Sequence, residues 1–203
     1  MDNTQQVNDE QMIEVNDEQM NEAEENQEIE IVVFGDKEKD GEFIKLKSKD
    51  NKVIFDVPLL WLKSMCGLID HMTEEKNEDD CTVPLSEIHS SETLRRVIEY
   101  CKHHHNNRAP EIEKPIKKNL TDIITDEWDL NNVMNLGKDL LFELTLAANY
   151  INCDDLLQLC CAEIAEQVKG KTIEDMREYF GVVNDFTPEE EEVIRKENEW
   201  MDE

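Results

Sequence analysis

The chain is poor in glycine, in aromatic residues and in basic charge. Its 203 residues include 6 glycines and 5 prolines, and aromatic residues make up 6% of the total. Glycine-rich loops hold phosphates in Walker and Rossmann nucleotide sites, and six scattered glycines form no such loop. The sequence therefore predicts neither a nucleotide cofactor nor a small-molecule substrate.

The shortage of basic residues limits the classes of partner. Lys and Arg number 21 against 50 Asp and Glu, so the formal net charge is −29. Binding of nucleic acid or of an anionic membrane surface requires concentrated Lys and Arg, which exchange for counterions at the phosphates. Nucleic acid and membranes are therefore not expected partners.

The sequence also lacks long apolar runs. No run approaches the roughly 18 residues of a membrane span, and the N-terminus has neither the basic flank nor the apolar centre of a signal peptide. We expect a soluble protein of the cytoplasm and nucleus, in which thiols stay reduced and are often buried. Six cysteines fit this expectation: Cys66, Cys81, Cys101, Cys153, Cys160 and Cys161.

The N-terminal part of the chain is a separate acidic segment. Within it the sequence VNDEQM at 7–12 recurs at 15–20, and its few apolar residues cannot offset the entropy of ordering. We predict a disordered tail over residues 1–28. A duplicated acidic binding motif remains an alternative interpretation.

Short strands are predicted next. Apolar or alternating runs occupy 31–34, 43–47, 53–57 and 81–85, and the second and third runs flank a turn at 49–52 that is typical of a hairpin. Alternation predicts that one side of each hairpin strand contacts the core and that the other faces water.

Helices fill most of the remaining sequence. A helix over 59–72 is interrupted at Gly67, another follows an N-cap at Ser90 or Ser91, and an almost wholly apolar helix at 140–151 should be contacted on several sides. A long mobile loop is expected near 106–135. Three more helices follow, over 154–169 with Gly170 at its end, and after N-caps at Thr172 and Thr187.

No convincing active site or metal site emerges from the sequence. His103, His104 and His105 adjoin Cys101, with Cys81 also available, but structural zinc sites use paired ligands at regular short spacings. Basic residues at the end of a helix are the simpler interpretation. No cysteine has the surroundings of a protease nucleophile. We expect no enzyme activity and no bound metal.

The C-terminal third carries more apolar stripes than its short helices could bury among themselves. Phe180 and Trp200 would be strong anchors for a partner's helices. The alternative is that these helices close the chain's own core.

One stretch carries a family resemblance. The sequence FELTLAANYI at 142–151, continued by VKGKT at 168–172, NDFT at 184–187 and RKENEW at 195–200, closely resembles the Skp family of SCF ubiquitin ligase adaptors. The resemblance covers roughly residues 43–203.

The resemblance implies a mainly helical α+β fold of the BTB/POZ type, with a small sheet flanked by helices. It divides the chain into a BTB/POZ-like domain at 29–152 and an F-box-binding helical extension at 153–203. It also implies a non-catalytic adaptor that joins the N-terminal region of a cullin to F-box proteins.

Two sets of contact residues follow from the resemblance. The F-box surface would use Leu157, Cys161, Ile164, Val168, Met176, Phe180, Val182, Asn198 and Trp200. The cullin surface would use Asn149, Tyr150, Val83 and Leu85.

The sequence departs from the family pattern towards the cullin side. The family's segment matching 59–69 is usually longer and lacks Trp61 and Gly67, and an extra residue lies near 131–138. The acidic tail and the strand at 31–34 are also outside the pattern. An F-box-binding paralogue without a cullin, or a BTB/POZ subunit of another complex, therefore remains an alternative function.

Overall fold

A computed structural model describes residues 29–74, 82–116, 118–134, 136–198 and 200. The predicted tail at 1–28 and nearly all of the acidic segment at 74–80 lie outside these residues. Within the described part, the chain forms a four-stranded sheet and nine helices. The predicted α+β class is confirmed.

The sheet contains the predicted hairpin at its centre. Its strands are β1 (Glu30–Val33), β2 (Phe43–Ser48), β3 (Val53–Pro58) and β4 (Thr82–Leu85), in the order β1-β3-β2-β4. Strands β2 and β3 are antiparallel, whereas β1 runs parallel to β3 and β4 runs parallel to β2. Asn51 forms the turn with a φ of 52°, a left-handed conformation that asparagine tolerates.

The alternation predicted for the hairpin holds for β2 but fails in β3. Leu46 and Phe55 pair across the strands and are buried, as predicted. Asp56 was expected to face water, yet it is buried as well. It lies beside β1 in register with Val33, and its carboxylate forms an ion pair with the Lys37 ammonium at 2.5 Å.

Three helices come from the same half of the chain as the sheet, and the first and third of them contact it. They are α1 (Leu59–Lys63), α2 (Gly67–Glu74) and α3 (Ser91–His104). The predicted interruption of the helix is confirmed, but it spans residues 64–66 and Gly67 begins α2. The Ser90 hydroxyl caps α3 by accepting the Glu92 N–H at 3.2 Å. The stripe predicted on α3 is buried and consists of Leu94, Val97, Ile98 and Cys101.

The segment predicted as one long loop near 106–135 contains two short helices, α4 (Leu120–Ile123) and α5 (Glu127–Asn132). The prediction of a continuous loop is therefore wrong, because sparse apolar residues in the segment reach the core. The buried side chains are Ile112, Leu120, Ile124 and Val133.

Four helices complete the fold: α6 (Lys138–Tyr150), α7 (Asp154–Val168), α8 (Ile173–Phe180) and α9 (Pro188–Glu197). Helix α6 lies against α3 and α7. Burial on every side was expected of α6, but only one side is buried, and Leu146 is 68% exposed. None of the helices in the described residues combines the length and apolar character that crossing a bilayer requires.

Candidate functional site

Helices α8 and α9 begin with strong local signals. The Thr172 hydroxyl accepts the Asp175 N–H at 3.2 Å, and the Asp175 carboxylate accepts the Thr172 N–H at 3.3 Å. Thr187 and Glu190 repeat this capping box at α9, and their hydrogen bonds hold the pKa of Glu190 below its usual value. Such caps satisfy amides that the first helical turn leaves unpaired. The two helices can therefore form without burying a complete apolar face.

Helix α8 is attached to the core through an aromatic cluster. The ring of Phe142 on α6 lies 5.6 Å from Tyr179 and 6.1 Å from Phe180 between centroids. The Tyr179 hydroxyl donates to Oε1 of Gln167 on α7 at 2.7 Å. Aromatic pairs at these distances add to the stabilisation that burial alone provides. Phe142 and Tyr179 therefore position α8, a role that the sequence analysis missed.

Helix α9 is linked to α8 by polar contacts. Oε1 of Glu191 accepts from Arg177 at 3.3 Å and from the side-chain amide of Asn184 at 2.8 Å. Neither α8 nor α9 contains a fully buried residue. The alternative that the C-terminal helices close the chain's own core therefore does not hold for α8 and α9, but it does hold for the buried side of α7.

Helix α7 has two distinct apolar faces. Leu156, Leu159 and Cys160 are buried in the core that α7 shares with α6. The predicted F-box stripe lies on the neighbouring face, where Cys161 is exposed and three other members are half-buried: Leu157, Ile164 and Val168. This stripe remains partly accessible to a partner.

The other predicted F-box residues are more open. Phe180 is 47% exposed, Val182 is 59% exposed and Trp200 is 71% exposed. Asn198 is exposed at the end of α9, and Met176 is half-buried on α8.

Further exposed apolar residues near these positions were missed by the sequence analysis. The repeated apolar positions of α9 and the loop before it were the signal that could have found most of them. They are Ile173, Val183, Phe186, Val193 and Ile194.

The predicted cullin residues Asn149 and Tyr150 lie at the C-terminal end of α6. Asn149 is exposed and Tyr150 is half-buried. Leu146 precedes them by one helical turn and shares their face. It was missed because the apolar run around it suggested a buried position.

The start of α2 supports this end of α6. The Gly67 N–H donates to the Asn152 carbonyl at 3.2 Å, and the Leu68 N–H donates to the Ile151 carbonyl at 3.1 Å. A Cβ atom on Gly67 would lie 3.2 Å from the Cβ of Asn152. Glycine therefore permits the close approach of α2 to the turn that follows α6.

The three neighbouring histidines point to separate protein partners. His103 contacts the Asp126 carboxylate at 2.9 Å, His104 contacts Asp129 at 2.8 Å, and His105 contacts the Lys102 carbonyl at 2.8 Å. His104 is also buried, so it is not simply a cation at a helix end. These contacts account for the positions of the three rings.

Comparison with known proteins supplies sequence evidence beside this geometry. The family model described as the tetramerisation domain of the Skp1 family matches residues 42–106, and that of its dimerisation domain matches 154–201. "Suppressor of kinetochore protein 1" of Schizosaccharomyces pombe is 44% identical over 162 residues, which are 78% of this chain and 97% of that protein. The chain belongs to the Skp1 family.

Other Skp1-family relatives agree. "SCF ubiquitin ligase complex protein SKP1b" of Dictyostelium discoideum is 41% identical over 160 residues, or 78% of this chain and 95% of that protein. "SKP1-like protein 11" of Arabidopsis thaliana is 45% identical over 135 residues, or 65% of this chain and 80% of that protein. The predicted family is confirmed, and β1 lies outside both matched segments, as the sequence suggested.

Within this Skp1-family fold, Val83 and Leu85 do not form part of an accessible surface. They are 3% and 1% exposed, because alternate residues of β4 face the core. The prediction that their side chains meet a cullin is therefore corrected. Pro84, which lies between them, is exposed.

Two of the departures from the Skp1-family pattern, Trp61 and Gly67, make defined contacts within the fold. Trp61 is 5% exposed, its ring lies 5.7 Å from that of His105, and the Lys102 ammonium is 5.6 Å from the indole. With the close contact at Gly67, these residues pack α1 and α2 against the rest of the fold.

Proposed function

We propose that this protein is a non-catalytic adaptor of an SCF-type ubiquitin ligase, which joins F-box substrate receptors to the N-terminal region of a cullin. The adaptor role follows from membership of the Skp1 family. The observation that carries the proposal of an F-box surface is the state of α8 and α9, which form capped helices with no fully buried residue. Their apolar side chains are available to a partner.

The F-box surface combines the open stripe of α7 with the residues beyond it. Large apolar side chains such as Phe180, Val182 and Trp200 stabilise an interface when a partner removes them from water. Exposed carboxylates at 189 and 190 lie in the first turn of α9 and would form a polar rim. An apolar helical partner segment with basic residues at its edges fits this surface best.

The cullin surface would lie at the end of α6, around Leu146, Asn149 and Tyr150. An exposed leucine beside an amide and a phenol supplies an apolar contact and hydrogen-bonding groups. The buried Val83 and Leu85 are not included.

A single helix connects the two surfaces. Phe142 holds α8 near the start of α6, and Asn149 lies seven residues further along the same helix, about 10 Å at the usual helical rise. Because α6 is packed between α3 and α7, it can hold the two partners at a constant separation. An adaptor needs this property, since its contribution is to position other proteins.

The test is a binding assay with a cullin N-terminal fragment and an F-box peptide or domain. We expect the full chain to form a ternary complex with both. Asn149→Ala with Tyr150→Ala should weaken cullin binding and leave F-box binding unchanged, whereas Trp200→Ala should do the reverse.

Three other results of the binding assay would each lead to a different conclusion. F-box binding without cullin binding in the wild-type chain would support a paralogue that acts outside a cullin ligase. Loss of both partners in the Asn149/Tyr150 variant, together with unfolding by circular dichroism, would show that the pair is structural. Absence of both interactions in the wild-type chain would refute the adaptor proposal.

A further inference from the structure

Three thiols meet in the core at a place that the adaptor function does not use. The Sγ atoms of Cys66, Cys101 and Cys153 all lie within 4.8 Å of one another, and those of Cys66 and Cys101 are 3.5 Å apart. Each side chain is 1% exposed or less. The cysteines are 35 and 52 residues apart in the chain, so only the fold brings them together.

Two of these cysteines lie at the start of a helix. Cys66 immediately precedes α2, and Cys153 is the N-cap of α7, so both thiols lie at helix N-termini. The partial positive charge there stabilises a thiolate.

The donor set is selective for soft metals. Thiolate ligands favour Cu⁺ and Zn²⁺ over hard cations such as Mg²⁺ and Ca²⁺. Three sulfurs around one ion at a bond length of about 2.3 Å would be about 4 Å apart. The three Sγ atoms already lie within 4.8 Å of one another. Small side-chain shifts would therefore suffice to close the site.

The number of donors distinguishes between the two soft metals. Structural Zn²⁺ almost always takes four protein ligands. Among the described residues, no histidine, carboxylate or fourth cysteine belongs to this group. Cu⁺ accepts three sulfur ligands, so the group is complete for copper and incomplete for zinc.

We propose that Cys66, Cys101 and Cys153 bind one Cu⁺ ion in the core. Binding releases the thiol protons to solvent, and the copper charge with the two helix N-termini offsets part of the remaining negative charge. The ion would join α2, α3 and α7 beside the Gly67–Asn152 contact. The proposal is independent of the adaptor function.

The experiment titrates the full-length reduced protein with Cu⁺ under anaerobic conditions, in competition with bicinchoninate as a chromogenic chelator. We expect one Cu⁺ per chain, and X-ray absorption should show only sulfur in the first coordination shell. Cys66→Ala and Cys153→Ala should each lower the apparent affinity by more than about tenfold. Parallel titrations use Zn²⁺ with its own chromogenic competitor.

Two control variants each remove a possible metal ligand outside the three-cysteine cluster. Cys161→Ala removes an exposed thiol outside the cluster, and His103→Ala disrupts the other group of ligand atoms, which comprises His103, His104 and Asp126. Both should bind Cu⁺ as the wild-type chain does. Because the absorption measurement uses the wild-type protein, a folding defect in a cysteine variant would not decide the result.

Several outcomes would overturn the proposal. They are the absence of stoichiometric Cu⁺ binding by the wild-type chain, nitrogen or oxygen in the first shell, and an equal loss of binding in either control. Stoichiometric Zn²⁺ binding at the three cysteines without Cu⁺ binding would also show that copper is not the metal bound at this site.

Discussion

Nε2 of His104 lies 2.8 Å from Oδ1 of Asp129, and both side chains are buried. The contact joins the last turn of α3 to α5, across 25 residues of chain. Nδ1 of the same ring lies 3.0 Å from the Asn107 carbonyl, so both ring nitrogens have partners. The pair helps to hold a segment that contains few apolar residues against the core.

This contact predicts a stability term that depends on pH. Burial acts to lower the pKa of His104, but the Asp129 carboxylate and the Asn107 carbonyl outweigh it, so the pKa is raised. The stabilisation should therefore be complete below the unfolded pKa of about 6.5 and should be lost as pH rises through the folded pKa.

The measurement is the free energy of unfolding of the wild-type chain and of His104→Gln between about pH 5.5 and 8.5. We expect the variant to be less stable by about 1–3 kcal/mol at the acid end, with the difference shrinking as pH rises. Comparison at each pH cancels the contribution of the many other acidic groups. A difference that is constant over this range would contradict the prediction.

Gly67→Val should destabilise the fold by about 1–3 kcal/mol. A Cβ at this position would already lie 3.2 Å from the Asn152 Cβ, and valine adds two methyl groups to that crowded site. Gly137→Ala is the control, because nothing lies within 4 Å of a Cβ there, and it should change stability by less than about 0.5 kcal/mol. Denaturant unfolding measures both variants. Equal stability of the two would show that α2 can move away from α6 at little cost.

Phe142→Ala should weaken F-box binding by roughly tenfold, about 1.4 kcal/mol, although Phe142 itself need not touch the partner. Its ring packs on Tyr179 and Phe180, so its loss should release α8 from α6. Calorimetry measures the affinity, and hydrogen exchange should show faster exchange of the α8 amides. Leu146→Ala on the same helix is the control and should leave F-box binding and α8 exchange unchanged.

Trp200→Ala should weaken F-box binding by at least roughly tenfold, about 1.4 kcal/mol, with little change in the melting temperature. The indole is 71% exposed, so its removal takes little from the core, whereas a desolvated tryptophan is a typical interface anchor. Titration calorimetry paired with a melting curve checks both statements. Unchanged affinity, or a large fall in melting temperature, would show that Trp200 serves the fold of the chain itself.

Local signals in the sequence predicted much of the secondary structure. The caps at Ser90, Thr172 and Thr187 and the turn at Asn51 occur where they were expected, and the helix break lies directly before Gly67. Each depends on backbone conformation or on hydrogen bonds between residues a few positions apart. Their energies are therefore encoded in a short stretch of sequence.

Whether an apolar residue is buried or exposed was harder to predict than where the helices and turns begin. Val83 and Leu85 suggested a contact surface but are buried, whereas Leu146 suggested a buried helix but is exposed. The hydrophobic effect favours burial of each of them, and periodicity cannot say which face another element will cover. The stripes of α8 and α9 had the same ambiguity until their exposure in the fold was known.

The sequence by itself determined the family, the α+β class, the starts of the capped helices and the abundance of apolar residues in the C-terminal third, because these follow from local patterns and from matched stretches of chain. Only the tertiary structure decided that Asp56 is buried beside β1, that His104 pairs with Asp129, and that three cysteines meet in the core. Each of these arrangements joins residues that are distant in sequence or covers one element with another. Such contacts depend on how the whole chain packs, and no local segment contains that information.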